Sequence, residues 1–155
     1  MMSFKEFDGI NQTPAIPLIA RGWAEMIKNG VASMETVCNW DHQAIIAFDD
    51  SFGSDEPVGI ITYDHQKWRK TLWIAFGYVV PSARRHGVYR ALWDRLIGIG
   101  QKIGVEKIQG GIHVDNHSML ECSRKLGRKD LFITTSFDVP KFISAESIRE
   151  LELQP

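Results

Sequence analysis

The chain is short of cysteine, of net charge and of long apolar runs, and each shortage narrows what it can be. Its two cysteines, Cys38 and Cys122, form neither a disulfide framework nor a zinc-ligand spacing. They read as reduced thiols of a cytoplasmic protein, with one bridge between them as the alternative. The 18 basic and 19 acidic residues leave a formal net charge of -1, which argues against DNA, RNA or an anionic membrane as a general partner. No apolar run approaches the roughly 20 residues needed to span a bilayer. The opening MMSFKEFDGI lacks the apolar core of a signal peptide. Internal repeats and low-complexity stretches are also missing. What remains is a composition of 44% apolar and 24% charged residues over 155 positions, that of one soluble globular domain, 1–155, with room for a proper core.

The most informative stretch reads TLWIAFGYVVPSARRHGVYRALWDRLIGIGQKIG from Thr71. Leu72 to Val80 is apolar, aromatic and β-branched, a buried strand. Pro81 stops it because proline cannot donate to a ladder. From Val88 the apolar period becomes helical, with Val88, Leu92, Leu96, Ile99 and Ile103 on one stripe, and Gly104 suits the helix end. Between strand and helix lies Arg84-Arg85-His86-Gly87-Val88-Tyr89. It is a basic turn feeding a helix N-terminus, where unpaired N–H groups and the macrodipole suit a phosphate or pyrophosphate. An ordinary turn with solvated arginines is the competing reading.

The rest of the chain supplies the frame. Ser3 to Phe7 reads as a short strand. Thr13-Pro14 starts a helix whose apolar stripe is Ile16, Ile19, Ala20, Trp23 and Ile27, and Asn29-Gly30 ends it. Ser33 caps a second, short helix to about Cys38. Gln43–Phe48 and Val58–Tyr63 form a hairpin, and the polar turn Asp64–Lys70 leads into the buried strand. Lys107–Val114 reads as a strand, His117–Leu126 as a helix ended by Gly127, and Leu131–Phe137 as a strand. The tail around Leu151 reads as a further strand or a helix from Ser144. A β–helix–β unit beside hairpins predicts an α+β mixed sheet of about six to seven strands with helices on both faces.

The run Val80-Pro81-x3-Arg84-x2-Gly87-x-Tyr89 resembles the acyl-CoA signature of the GNAT N-acyltransferase superfamily: Gln or Arg, two residues, Gly, one residue, Gly or Ala. Arg84 and Gly87 match, and Tyr89 stands where the family has a small residue. Asn116-x10-Gly127 resembles a second family feature, with Asn116, Leu126 and Gly127 in place, Ser123 at the family's Tyr and Arg128 at its Phe. The order of elements is also that of the GNAT fold.

The resemblance implies acetyl-CoA as co-substrate and an amine, small molecule or protein, as acceptor. It places the pyrophosphate on the backbone of Arg85, His86, Gly87, Val88 and Tyr89, with Arg84 and Arg90 adding charge and Asn116 nearby. The pantetheine arm would follow Tyr78, Val79 and Val80 as a strand partner, with an N–H of Val79 or Val80 facing the thioester oxygen. For the base, strand alternation over Lys107–Asp115 would turn His113 toward the cleft, and an imidazole titrates near neutral pH. Ser123 is the available hydroxyl for the leaving thiolate. Two outcomes follow: transfer without a strong acid, or a catalytically weak CoA-binding or regulatory module. No metal is expected, because His113 and His117 do not share a helix face. Trp68 in HQKWRK marks an exposed hairpin tip or, less favoured, a nucleic-acid contact. Terminal strands of such sheets pair between subunits, so a homodimer is also an expectation.

Overall fold

The computed structural model describes residues 1–11, 13–31, 41–52 and 56–131. In chain order the elements are β1 (Met2–Phe7), α1 (Ala15–Lys28), β2 (Gln43–Asp49), β3 (Pro57–Gln66), β4 (Thr71–Val79), α2 (Val88–Ile103), β5 (Lys107–Gly110) and α3 (His117–Lys125). The strands form one sheet in the order β1-β2-β3-β4-β5. The first three pairings are antiparallel, and β4–β5, joined through α2, is parallel. The mixed α+β class holds, but the sheet has five strands among the described residues rather than six or seven. Past Leu131 the expected strand to Phe137 lies outside the described residues, as do the tail and the short helix after Ser33.

Helices cover both faces, which is why the central strands are apolar on both sides. Ile45, Ala47, Val58 and Ile61 pack with Val88, Leu92, Trp93 and Leu96 of α2. Ala44, Ile46 and Ile60 pack on the opposite face with Ala15, Leu18 and Ile19 of α1. The buried stripe of α1 is therefore Ala15, Leu18, Ile19 and Gly22; of the expected stripe Ile19 lies on it and Trp23 packs half-buried against the same core, whereas Ile16, Ala20 and Ile27 are exposed. The reason is steric. A Cβ at Gly22 would stand 2.5 Å from Phe76 Cζ and 2.9 Å from the Tyr78 ring, so the helix turns its smallest residue to β4. In α2, Trp93 and Gly100 join the buried face while Ile103 stays exposed. Pro14 is the N-cap instead of the first helical residue, and Thr13 just before it accepts the Ala15 N–H at 3.1 Å.

Two further boundaries move. β3 runs on to Gln66, so the expected turn contracts to a tip at Lys67–Arg69, where Trp68 is 84% exposed under the Arg69 guanidinium. β5 ends at Gly110 instead of Val114. A Cβ at Gly110 would sit 2.9 Å from the Ile74 carbonyl, and past Gly111 the chain closes a turn in which Asn116 N–H donates to His113 O at 2.9 Å.

The feature that positions everything functional is a bulge in β4. Thr62 faces Phe76 and Tyr63 faces Ile74, so Ala75 has no partner on β3. A bulge bends its strand and re-aims side chains. Leu72 and Ile74 accordingly point to the α2 face, whereas Phe76 and Tyr78 point to the α1 face. Pairing with β5 stops at the same place, at Ile74 opposite Gly110.

The packing generates a paired expectation. Gly22→Val should destabilise the fold by about 1–3 kcal/mol through overpacking. Gly98→Ala, exposed on α2 with nothing within 4 Å of its added Cβ, should stabilise it by up to about 1 kcal/mol. Urea unfolding of both variants checks the contrast.

Candidate functional site

The site begins where β4 loses β5. Val80 N–H donates to Val58 O at 3.0 Å, which fixes the parity of the ladder. Tyr78 opposite Ile60 then belongs to a hydrogen-bonded pair, and Gly77 and Val79 turn their N–H and C=O groups to the other side, the edge that β5 has left. Of the two N–H groups expected to face a thioester, Val80 is therefore engaged in the sheet. Val79 lies on the open edge, and Gly77, which sequence reasoning did not single out, joins it. Strand parity after a bulge is not legible without the bulge.

Past Val79 the chain makes a short turn at Pro81–Ala83, anchored by the fully buried Ala83. Arg85 (φ 67°) and Gly87 (φ 79°) are both left-handed. This alternation makes successive N–H groups converge into a concave, anion-binding arrangement. Gly87 is the N-cap of α2 and brings no side chain to satisfy the first turn, while its carbonyl accepts the Ala91 N–H at 3.0 Å. Among the described residues nothing accepts from the N–H groups of Arg85, His86, Gly87, Val88, Tyr89 and Arg90. The positive end of a helix of 16 residues thus meets a row of unpartnered donors.

The side chains of the loop divide by task. Arg84 is turned to β4 and α1. Its Nε donates to Val79 O at 3.0 Å, and a terminal nitrogen donates to Glu25 Oε2 at 2.7 Å. Glu25 Oε2 also accepts from the Tyr78 hydroxyl at 3.2 Å. The Arg84 hydrogen bond holds the Glu25 carboxyl below the usual carboxylate range. Burial, then the Glu25 charge, pushes the Tyr78 phenol up. Glu25 clasps α1 to the loop from 59 residues away, a separation that leaves no local signal in the sequence. His86 Nδ1 lies 2.8 Å from Arg84 O, and its ring stands edge-on to Phe52. Arg85 and Arg90 are exposed and supply the local positive charge.

The remaining expected residues are placed less as anticipated. His113 is beyond the end of β5, so alternation does not aim it. It is exposed, and its Nδ1 accepts the Asp115 N–H at 3.2 Å. Asn116 caps α3, its Oδ1 accepting the Met119 N–H at 3.2 Å. Ser123 is buried and donates to Leu120 O of its own helix at 3.1 Å, which removes its proton from direct use. Arg128 reaches back to Gly110 O and lies over the Trp93 ring.

Tyr89 is the residue whose side chain the sequence did not explain. From the first turn of α2 its ring lies on β4 at Gly77, where an added Cβ would meet Tyr89 Cε2 at 3.0 Å and its hydroxyl at 3.1 Å. The hydroxyl is buried and has no hydrogen-bond partner. Burial pushes it up to about 12, with Arg128 pulling it down and Cys122 of α3 raising it.

Comparison with known proteins fits this arrangement. A family profile described as the acetyltransferase (GNAT) family matches residues 20–127. No curated protein sequence matches. Among solved structures, the aminoglycoside N-acetyltransferase AAC(6')-Iy in complex with CoA is 14% identical, with 90% of this chain and 95% of that one covered and a TM-score of 0.66. An aminoglycoside acetyltransferase from an uncultured soil metagenomic sample, in complex with sisomicin, is 12% identical over 90% and 97% of the chains, with a TM-score of 0.65. The aminoglycoside 6'-N-acetyltransferase AAC(6')-Ih from Acinetobacter baumannii is 10% identical over 90% and 99%, with a TM-score of 0.63. At these identities the likeness is one of fold.

The clasp has a pH signature. A carboxyl whose folded value is lowered contributes stability above its unfolded value and loses it as pH falls through the folded one. Glu25→Gln should therefore cost about 0.5–1 kcal/mol at pH 7, since the pair is partly exposed and screened. The difference from wild type should vanish below the carboxylate range, as thermal unfolding at both pH values would show.

Proposed function

The chain belongs to the GNAT family of acetyltransferases, and we propose from this that it transfers an acetyl group directly from acetyl-CoA to the amine of a small-molecule or protein acceptor. The observation that carries the reading is the row of N–H groups from Arg85 to Arg90, set beside the β4 edge that β5 leaves. A pyrophosphate suits the first and an amide-bearing pantetheine arm suits the second. The similarly folded acetyltransferases in complex with CoA and with sisomicin support a CoA thioester and a small amine as the pair of substrates.

In this reading Arg85, Arg90 and the α2 N-terminus hold the phosphates, and Tyr78 to Val79 align the arm. The N–H of Gly77 or Val79 faces the thioester oxygen, where charge develops as the amine attacks. Because those donors are fixed by the ladder before the ligand arrives, they need no rearrangement at the transition state. The ammonium must lose a proton first. His113, exposed beyond β5 on the side where the two strands part, takes it, directly or through water. Arg84 acts by positioning: it holds Glu25 and the Val79 carbonyl, and so the shape of the loop.

A second reading has its own support. The Ser123 hydroxyl is directed to Leu120, and Tyr89 occupies the motif position of a small residue. A protein that binds CoA without efficient transfer accounts for both.

Calorimetry with acetyl-CoA tests the common ground, and turnover over a panel of amines separates the two readings. Gly87→Trp should abolish acetyl-CoA binding while the thermal unfolding temperature stays high enough to show a folded protein; unchanged affinity refutes the loop assignment. His113→Ala should lower turnover by about 100-fold with binding retained. Full activity in that variant removes His113 as the base.

A further inference from the structure

Tyr89 combines three properties that a packing role alone does not explain. Its hydroxyl is buried without a partner, an arrangement that folded proteins avoid because the desolvated group gains nothing in return. Its ring lies against Gly77, on the same residue that turns its main chain to the open edge of β4. Its surroundings include Arg128, whose charge favours a phenolate, and Cys122 of α3. The hydroxyl thus lies against Gly77, three residues past the Ile74–Gly110 pair at which β5 leaves β4.

A ligand whose phosphates sit on the α2 N-terminus and whose arm runs back along that edge has its reactive end there. We propose that the Tyr89 hydroxyl is the proton donor to the sulfur of the bound acyl-CoA. The assignment rests on the transfer reading above and goes beyond it by naming the acid. The amine nitrogen forms a bond to the thioester carbonyl carbon, and the resulting oxyanion collapses with cleavage of the C–S bond. The electron pair of that bond goes to sulfur, which takes the Tyr89 proton and leaves as the CoA thiol. The phenolate, steadied by Arg128, recovers by way of water the proton that the nitrogen sheds as its bond to carbon forms, while the earlier ammonium proton stays with His113 until it passes to solvent. The raised phenol keeps its proton throughout the neutral range, so the donor is loaded before each turnover. Tyr89 in α2 thereby does from one helix what the α3 hydroxyl of Ser123, engaged with Leu120, does not.

The test is Tyr89→Phe in the full chain, read in two ways. The ring and its contact with Gly77 remain, and loss of an unpartnered buried hydroxyl should leave thermal stability equal or higher. Turnover with acetyl-CoA should fall about 100-fold, with KM for acetyl-CoA within about threefold. Independently of turnover, wild type should bind CoA about 5-fold more tightly than desulfo-CoA, the gain of one hydrogen bond, and Tyr89→Phe should erase that preference. Undiminished turnover overturns the proposal, as does an undiminished preference for CoA. Wild type that shows the preference but acetylates no amine upholds the sulfur contact and overturns the transfer reading and the proton step with it. Absence of binding to either CoA form overturns both.

Discussion

β4 has to satisfy two neighbours that part from each other, and one unpaired residue resolves the conflict. Ala75 lets the strand keep its ladder with β3 to the end while releasing β5 after Ile74. An edge inside a covered sheet would ordinarily leave buried donors and acceptors without partners. Here the edge coincides with a loop and a helix start whose donors are unpartnered as well. Two kinds of unmet hydrogen-bonding capacity, one from a strand and one from a helix end, lie side by side. A molecule with phosphates at one end and amides along its length can meet both at once.

The electrostatics of this arrangement are local. A chain with net charge -1 has no overall field to attract a polyanion. The positive potential at the loop comes from the α2 macrodipole and from Arg85 and Arg90 over a few ångströms, within a Debye length even at physiological salt. Arg84, the best-matched motif residue by type, is turned inward to Glu25. The motif's arginine and its glycine thus serve the same site by different means: one by holding the loop's shape, the other by leaving its donors uncovered.

Much of this was legible in the sequence, and the parts that were not share a cause. The apolar run from Leu72, the change of period at Val88 and the left-handed glycines at positions 87 and 104 report local backbone preferences, and the structure follows them. Asn116 likewise caps α3 as its residue type favours. Failures arise where tertiary contact decides. The inward face of α1 departs in part from its apolar stripe because Gly22 meets β4 beside Trp23, leaving Ile16 and Ile27 outside. Alternation gives His113 a direction only if β5 continues to it, and β5 stops at Gly110. The Glu25 clasp and the seating of Tyr89 on Gly77 join residues far apart in sequence, and periodicity carries no trace of either.

The clasp of Glu25, Arg84 and the Val79 carbonyl has a thermodynamic consequence for recognition. A loop that must be ordered by its ligand charges that ordering entropy against affinity. In this protein the loop is braced against α1 and β4 by interactions internal to the fold, so its conformational entropy has already been lost when the chain folds. Association then reflects chiefly the exchange of water for N–H contacts, and a ligand meets a cradle shaped in advance.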